Sequence, residues 1–328
     1  MKKYLVPLLF AAALLVSCEK QQESTQPVPK GDAIEFSMSS TAVNTKTSYG
    51  DIVNNKQTIN WENNDQFTVY CGEAFISGSD GHQANYKVST SGSSSAATPV
   101  DPNTQLMWGG DSQHTFYAAY KGSLNGNVYS ASIPSNQVLS GTNNVFAPLI
   151  SDYGFMVAAA TATKATGVVS LSFKPSFSTI EFIVGPGPNA EAVVSGFRLE
   201  SSSGPIAGDF NATLSTSSPY YSGFKDSETS ISVRFGESGS VSLGRNDRLT
   251  FTVITLPKDM TNLTARFTVD GNEVVIPLKD SDGNFITFRN GRKSRINAPA
   301  VFGPEAVEAG ITTVIEGQDI DEYSLGQQ

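Results

Sequence analysis

The clearest structural signal in the sequence is the stretch LTARFTVDGNEVVIPL, residues 263–278. Apolar and polar residues alternate up to Val269, which is the period of a strand with one buried face. Asp270-Gly271 can supply the two positive φ angles of a type I′ turn, so this stretch predicts a β-hairpin. Pro277 has no N–H to donate to a ladder, so we expect it at a strand end or on a sheet edge.

The same alternation recurs along the chain, and no long stretch shows the 3.6-residue period of an amphipathic helix. Further segments with the strand period are residues 34–38, 67–69, 168–173, 179–184, 231–235 and 249–253. The pattern predicts an all-β protein. We also predict a short buried strand at 116–120, a strand at 129–133 paired near it, and surface loops at 77–83 and 89–102.

Strands that are apolar on one side bury that side most simply between two packed sheets. Residues 160–167 are rich in small side chains and suggest a boundary. We therefore predict two β-sandwich domains in series, at residues 31–163 and 164–302. The acidic tail, residues 303–328, contains the apolar run 311–315, which could form one more strand or a loosely held extension.

The N-terminus has the features of an export signal. Lys2 and Lys3 precede a short uncharged apolar run, which is too short to span a bilayer. The run ends in Leu15-Val16-Ser17-Cys18, which resembles the bacterial lipobox. It predicts a signal peptide at residues 1–17, cleavage between Ser17 and Cys18, and a lipid on Cys18 that anchors the chain to a membrane. The alternative is an ordinary signal peptide with a chance cysteine. Polar residues 18–30 predict a flexible tether.

Charge and cysteine content narrow the class of protein. The formal net charge is −9, and it becomes −11 once the signal peptide and its two lysines are removed. Such a chain repels phosphate backbones, so we expect no nucleic-acid partner. Cys71 is the one cysteine besides Cys18, so a lipid on Cys18 would leave it without a disulfide partner. Its apolar, strand-like context predicts a small core residue, with a reactive thiol as the alternative.

Motifs of catalysis or cofactor binding are weak. The sequence lacks a Gly-x-Ser-x-Gly elbow, and His82 and His114 both lie in polar, loop-like sequence. Residues 185–190, GPGPNA, fit a dinucleotide motif, but two prolines remove amide donors and no helical pattern follows. Residues 280–284, DSDGN, begin like a calcium loop, yet Gly291 stands where an EF-hand needs glutamate. We predict turns at both places.

Acidic residues are scattered, without a spacing that singles out a pair of catalytic carboxylates. We therefore expect no catalytic residue, no cofactor and no metal site, and we predict that the protein is not an enzyme.

An ordered set of short segments carries a family resemblance. The segments are residues 34–37, 45–47, 59–70 (INWENNDQFTVY), 116–120, 133–134, 152–158 and 169–184. Together with the lipobox they resemble the fimbrillin-like lipoproteins of Bacteroidales. Asn64 stands where family members often have glycine, Lys46 where they often have arginine, and an aromatic-Pro-Tyr run near Tyr120 is missing.

The resemblance implies two transthyretin-like β-sandwich domains and a role in fimbriae on the outer membrane surface. In that family a trypsin-like protease, commonly specific for arginine, removes the lipid together with an N-terminal strand. A strand from a neighbouring subunit then fills the open groove. Other fimbrial subunits would thus be partners of this chain.

The arginine distribution bears on that mechanism, because no arginine precedes Arg198, whereas Lys30 and Lys46 remain open to a lysine-specific protease. This favours a lipid-retaining anchor or accessory subunit. The alternative is a stand-alone surface lipoprotein or a tip adhesin with a glycan or protein ligand. For that alternative, Trp108, Tyr220 and Tyr221 are candidate exposed aromatics that could stack on sugars. Core or strand-edge packing is the favoured interpretation for each of the three. An envelope enzyme is the third hypothesis.

Overall fold

The structure is a computed structural model. It describes residues 32–40, 49–53, 56–59, 61–148, 153–187, 189–280, 282–298, 300–302, 310–312, 315–316 and 322–324. The predicted signal peptide, the predicted tether and Cys18 lie outside the described residues, so their assignment stays a prediction.

Strands dominate the described residues, which confirms the prediction of an all-β protein. The strands up to residue 162 are β1 Glu35–Ser40, β2 Tyr49–Val53, β3 Lys56–Ile59, β4 Gln66–Tyr70, β5 Phe75–Ile76, β6 Gln83–Val88, β7 Ser94–Pro99, β8 Leu106–Met107, β9 His114–Tyr120, β10 Ser123–Asn125, β11 Val128–Ile133, β12 Asn136–Thr142, β13 Val145–Pro148 and β14 Met156–Ala162.

The strands that follow are β15 Val168–Pro175, β16 Ser178–Val184, β17 Ala192–Ser201, β18 Ala207–Thr213, β19 Tyr220–Glu228, β20 Ser230–Phe235, β21 Val241–Leu243, β22 Leu249–Thr255, β23 Leu263–Val269, β24 Asn272–Pro277, β25 Lys293–Ala298, β26 Gly310–Thr312, β27 Ile315–Glu316 and β28 Glu322–Ser324. Short 3-10 helices span Pro102–Thr104 and Lys164–Thr166.

Seven strands close into a barrel in the order β1-β15-β14-β9-β4-β6-β7. β1 runs parallel to β15, and the other neighbours in the barrel are antiparallel. The burial of β15 alternates strictly from Val168 to Phe173, as its sequence predicts. Residues 89–102, predicted as a loop, contain β7. Its Ser and Ala side chains carry little apolar signal, and its place is set by hydrogen bonding to β1 and β6.

A twelve-stranded sheet forms the second large unit, in the order β24-β23-β17-β20-β12-β13-β22-β16-β25-β26-β28, with β21 paired to β17. The sheet folds over onto itself. Phe182 on β16 lies five strands from Phe197 on β17, which would be about 24 Å in a flat sheet, yet their ring centroids are 4.9 Å apart. Phe251 and Phe267, also five strands apart, approach to 6.1 Å. These phenylalanines form the core between the two layers.

The predicted hairpin at residues 263–278 is confirmed. β23 and β24 pair from Val269↔Asn272 outward, and both turn residues have positive φ, 50° for Asp270 and 79° for Gly271. Positive φ at both central positions is the type I′ geometry. Pro277 ends β24, which is the edge strand of the sheet, as its missing N–H predicts.

A four-stranded sheet, β10-β11-β18-β19, joins segments far apart in sequence. β11, predicted to pair near β9, instead bonds to β10 and β18. β12 and β13 bond to β20 and β22, whereas β15 bonds to β1 in the barrel. The hydrogen-bonded sheets therefore do not divide between residues 163 and 164. Residues 160–162 end β14, and residues 163–167, which include the 3-10 helix Lys164–Thr166, connect β14 to β15 within the barrel. The division of the chain into two domains stays a prediction.

A buried side chain completes the twelve-stranded sheet where its backbone ladder is interrupted. The amide of Gln137 on β12 donates to the carbonyl oxygen of Ile254 at 2.6 Å and accepts from its N–H at 3.0 Å. Gln137 thus takes the place of a backbone partner for β22.

The C-terminal strands add to the twelve-stranded sheet and to β3: β26 bonds to β25 and β28, and β27 bonds to β3. Within the described part of the chain, no helix has the length and apolar character needed to cross a bilayer.

Candidate functional site

The first strand of the barrel is the candidate site for assembly with another subunit. β1 is hydrogen-bonded on both sides, to β15 from Glu35↔Val168 to Ser40↔Phe173 and to β7 at four positions. β1 precedes every other described strand in the sequence. Removing β1 would therefore not unthread any other described strand from the fold.

The inner face of β1 fills an apolar groove. Ile34, Phe36 and Met38 are each at most 3% exposed. The ring of Phe36 lies 4.7 Å from that of Tyr86 and 5.5 Å from that of Phe116, both in edge-to-face geometry. Burying three such side chains stabilises the fold by roughly 5–9 kcal/mol. An empty groove would therefore be strongly unfavourable in water.

The motif at residues 59–70 supplies side chains to the floor beside this groove. Trp61 is fully buried, with its ring 4.9 Å from that of Phe173 and 5.1 Å from that of Tyr120. The carboxylate of Asp65 accepts hydrogen bonds from the N–H of Glu62 at 2.8 Å and from the hydroxyl of Tyr120 at 3.0 Å. The motif therefore anchors the start of β4 to the barrel core.

A buried charge cluster lies on the neighbouring strands β16 and β25. Glu181 bonds to Lys293 at 2.9 Å and to the Nε of Arg295. The side chain of Glu181 is 10% exposed and that of Lys293 is 2% exposed. Burial alone would raise the pKa of Glu181, but the two neighbouring cations outweigh it and hold that pKa below its ordinary value. β25 is also the strand to which the C-terminal strand β26 bonds.

Two polar side chains, Cys71 and Glu73, meet beside the backbone of Thr115. The thiol of Cys71 donates to Glu73 at 3.2 Å, and the N–H of Thr115 donates to the same carboxylate oxygen at 3.3 Å. Burial, together with the bond to Glu73, raises the pKa of Cys71 to about 12. Cys71 is fully buried, which confirms it as a core residue. A thiol that stays protonated is a poor nucleophile, so this cluster lacks the activated group of a cysteine enzyme.

The chemistry of this thiol predicts a labelling result. In a Cys18→Ser variant, Cys71 is the only cysteine, so alkylation by iodoacetamide reports on it alone. We expect no labelling of the folded protein at pH 8 and full labelling in concentrated urea, because unfolding removes both the burial and the bond to Glu73. Labelling of the folded protein as fast as that of free N-acetylcysteine would contradict this assignment.

The two histidines occupy different surroundings. His114, predicted in a loop, is instead fully buried at the start of β9. Its Nε2 accepts from the N–H of Gly109 at 3.0 Å, and its ring lies edge-to-face with Trp108 at 4.9 Å. Packing against aromatic rings accounts for the burial of His114, which the polar residues around it in the sequence do not predict. His82 is exposed, with Nδ1 at 2.5 Å from the carbonyl oxygen of Ala74. Among the residues described, no three His, Cys, Asp or Glu side chains are arranged to hold a metal ion.

The three aromatic residues considered for sugar stacking differ in their exposure to solvent. Trp108 is 5% exposed, which confirms core packing as the favoured interpretation and excludes it as a stacking surface for a ligand. Tyr221 is half-buried, and its hydroxyl donates to Ser176 at 3.2 Å. Tyr220 is 71% exposed and is the one member of the three that a ligand could reach. Alternation along β19 accounts for the difference, since neighbouring side chains point to opposite faces.

The described residues of both weak loop motifs lie outside strands and helices. Residues 185–187 are irregular, and the next regular element is β17 rather than a helix. In the second motif, Oδ1 of Asp280 accepts from the N–H groups of Asp282 and Asn284, at 3.0 and 2.9 Å. These bonds close a turn between the bridged residues Lys279 and Phe285. The carboxylate oxygen is thus used by the backbone of its own turn.

Comparison with known families gives a match over most of the chain. The family profile described as fimbrillin-like matches residues 31–313. The chain belongs to the fimbrillin-like family. This confirms the resemblance read from the ordered sequence segments. No curated protein sequence matches the chain.

Two solved structures share the fold of this fimbrillin-like chain. A candidate cell adhesion protein from Bacteroides ovatus ATCC 8483 is 15% identical, with a TM-score of 0.51 over 90% of this chain and 99% of its own. A candidate cell adhesion protein from Bacteroides uniformis ATCC 8492 is also 15% identical, with a TM-score of 0.50 over 91% and 98% of the two chains. At this identity the likeness concerns the fold alone.

Proposed function

We propose that this fimbrillin-like protein is a cell-surface fimbrial subunit that keeps a lipid on Cys18 and serves as an anchor or accessory subunit of the filament. Family membership supports the fimbrial role, and the solved relatives are described as candidate cell adhesion proteins. The observation that carries the assembly mechanism is β1, an N-terminal strand bonded on both sides with three apolar side chains in a groove.

Strand exchange at this groove is the assembly step we propose. A strand donated by another subunit would replace β1 and supply both its hydrogen bonds and its apolar side chains. The C-terminal strands, of which β26 adds to β25, are the candidate donor. The absence of arginine before Arg198 supports retention of the lipid in this subunit, because arginine-specific cleavage cannot remove it. A donated strand would then displace β1 from the groove while β1 stays covalently attached to the chain.

The anchor assignment predicts the outcome of replacing Cys18. A Cys18→Ser variant cannot accept the lipid, so we expect it to leave the membrane fraction and the detergent phase of a Triton X-114 partition. Cys71→Ser is the matched control, since it removes the other cysteine and should keep the lipid mass on the N-terminal peptide. Membrane retention of Cys18→Ser, or a native N-terminus near residue 47, would contradict the proposal.

A stand-alone surface lipoprotein or tip adhesin is the second candidate function, favoured by the exposed ring of Tyr220. Filament preparations distinguish the proposed subunit from a stand-alone lipoprotein: an anchor or accessory subunit should co-purify with filaments and give ladders on unboiled gels, whereas a stand-alone lipoprotein should do neither. A tip adhesin would also co-purify with filaments, and binding of the soluble fragment from Gly31 to a glycan array would identify it.

A further inference from the structure

The outer face of the twelve-stranded sheet has a polar depression over β17, β20, β23 and β24. Its volume is about 400 Å³, within the range of small-molecule sites. Gly196, Ser232 and Thr268 form a floor of small side chains, and Arg198, Arg266 and Glu273 form the rim. This face is opposite the phenylalanine core, because Phe197 and Phe267 alternate with these rim residues along the strands.

Two arginines face each other across this depression. Arg198 and Arg266 are direct cross-strand partners in the β17–β23 ladder. Like charges at such positions are destabilising. The cost is reduced by Glu200, which bonds to Arg198 at 2.7 Å and to the Nε of Arg266 at 2.5 Å. Glu273 adds a bond to Arg266 at 2.9 Å.

This arrangement holds both guanidinium groups in place while leaving donors on each for a further acceptor. Arg198 uses one Nη, and Arg266 uses Nε and one Nη, of the five N–H donors that each guanidinium carries. The side chains are still 49% and 29% exposed. A fixed arginine fork matches carboxylate and sulfate oxygens in bidentate geometry.

We propose that this depression binds an anionic glycan, through carboxylate or sulfate groups held by Arg198 and Arg266. Glu200 and Glu273 balance the charges of the two arginines, so the guanidinium N–H donors that these carboxylates leave free, rather than a net positive charge, would hold such a ligand. The backbone of a sheet face is already used in its own ladders, so an extended peptide finds no main-chain partners there, as it would at an edge. Side-chain recognition with hydroxyls on the floor favours a sugar. The proposal does not depend on strand exchange or on the lipid anchor.

The test measures binding of the full mature protein, in detergent, to immobilised polysaccharides. Polygalacturonate offers carboxylates alone, dextran sulfate offers sulfates alone, and unmodified dextran is the neutral reference. We expect binding to at least one of the two anionic polymers and none to dextran. The Arg198→Gln and Arg266→Gln double variant should weaken that binding at least tenfold.

Two further variants keep the test decisive. Arg245→Gln with Arg248→Gln removes the same charge from the turn between β21 and β22, outside the depression, and should change binding less than twofold. Ser232→Glu leaves both arginines in place but puts a negative charge on the floor, and it should also weaken binding at least tenfold. Equal losses in both arginine pairs, unchanged binding by Ser232→Glu, no preference over dextran, or equally tight binding of polyglutamate would each overturn the proposal.

Discussion

A chain that lacks residues 31–40 is expected to capture a synthetic peptide of residues 32–40. The deletion removes β1 and uncovers the groove that Ile34, Phe36 and Met38 occupy. The lost burial, roughly 5–9 kcal/mol, is comparable to the whole unfolding free energy of a typical domain, about 5–15 kcal/mol. The truncated chain should therefore be weakly folded alone and gain stability when the peptide binds, as measured by fluorescence anisotropy and thermal unfolding.

Peptide variants test whether the groove or the backbone ladder dominates this binding. A Phe36→Ala peptide loses a buried ring in contact with Tyr86 and Phe116, which costs about 3–5 kcal/mol, so it should bind at least about a hundredfold more weakly. A Glu35→Ala peptide changes an exposed side chain of the same strand and should bind as well as the parent. Equal binding of the Phe36→Ala peptide, or a truncated chain that ignores all three, would exclude β1 as the exchangeable strand.

The second large effect is expected at the buried carboxylate beside the C-terminal strands. Glu181→Gln should lower the unfolding free energy of the full chain by about 3–5 kcal/mol, because it removes one partner of a buried ion pair. Glu200→Gln is the matched control. Glu200 also bonds to two cations on the same sheet, but its side chain is 30% exposed, so its loss should cost under about 1 kcal/mol. Urea denaturation at neutral pH measures both.

The pH dependence of the unfolding free energy tests whether the charge of Glu181 stabilises the folded chain. The pKa of Glu181 is lower in the folded chain than its ordinary value of 4.5, so the unfolded state takes up the proton first as pH falls. The stabilisation by ionised Glu181 is complete above pH 4.5 and is lost as pH falls below it toward the folded pKa. Between pH 5 and pH 3 the parent should therefore lose more stability than Glu181→Gln. Parallel pH profiles for the two proteins would show that Glu181 contributes nothing through its charge.

The structural features that could be predicted from the sequence depend on short, continuous segments. The turn at Asp270-Gly271 was predictable because the positive φ angles are a local property of those two residues. The position of Pro277 at a strand end was predictable because proline has no backbone N–H to donate. Alternation along β15 likewise shows directly which side chains are buried. By contrast, β7 consists of Ser, Ala, Thr and Pro and is a strand only because β1 and β6 lie on either side of it.

Candidate site residues followed the same division. Cys71 sits in an apolar strand and was correctly predicted as core, since its neighbours in sequence are also its neighbours in the barrel. Trp108 and His114 lie in polar sequence and are buried against each other, at 4.9 Å between rings, by a fold that the local pattern does not contain. The facing pair Arg198 and Arg266 is likewise invisible in sequence, because 68 positions separate residues that the β17–β23 register makes adjacent.

By itself, then, the sequence determined the strand content, the hairpin at residues 263–278, the family and the expectation of a lipid at Cys18, because each depends on a short run of residues. Only the tertiary structure decided which strands share a sheet: β1 beside β15, β11 beside β18, and β12 and β13 with β20 and β22. Strand pairing is set by long-range hydrogen bonding and shared burial, and many pairings satisfy the same alternating pattern.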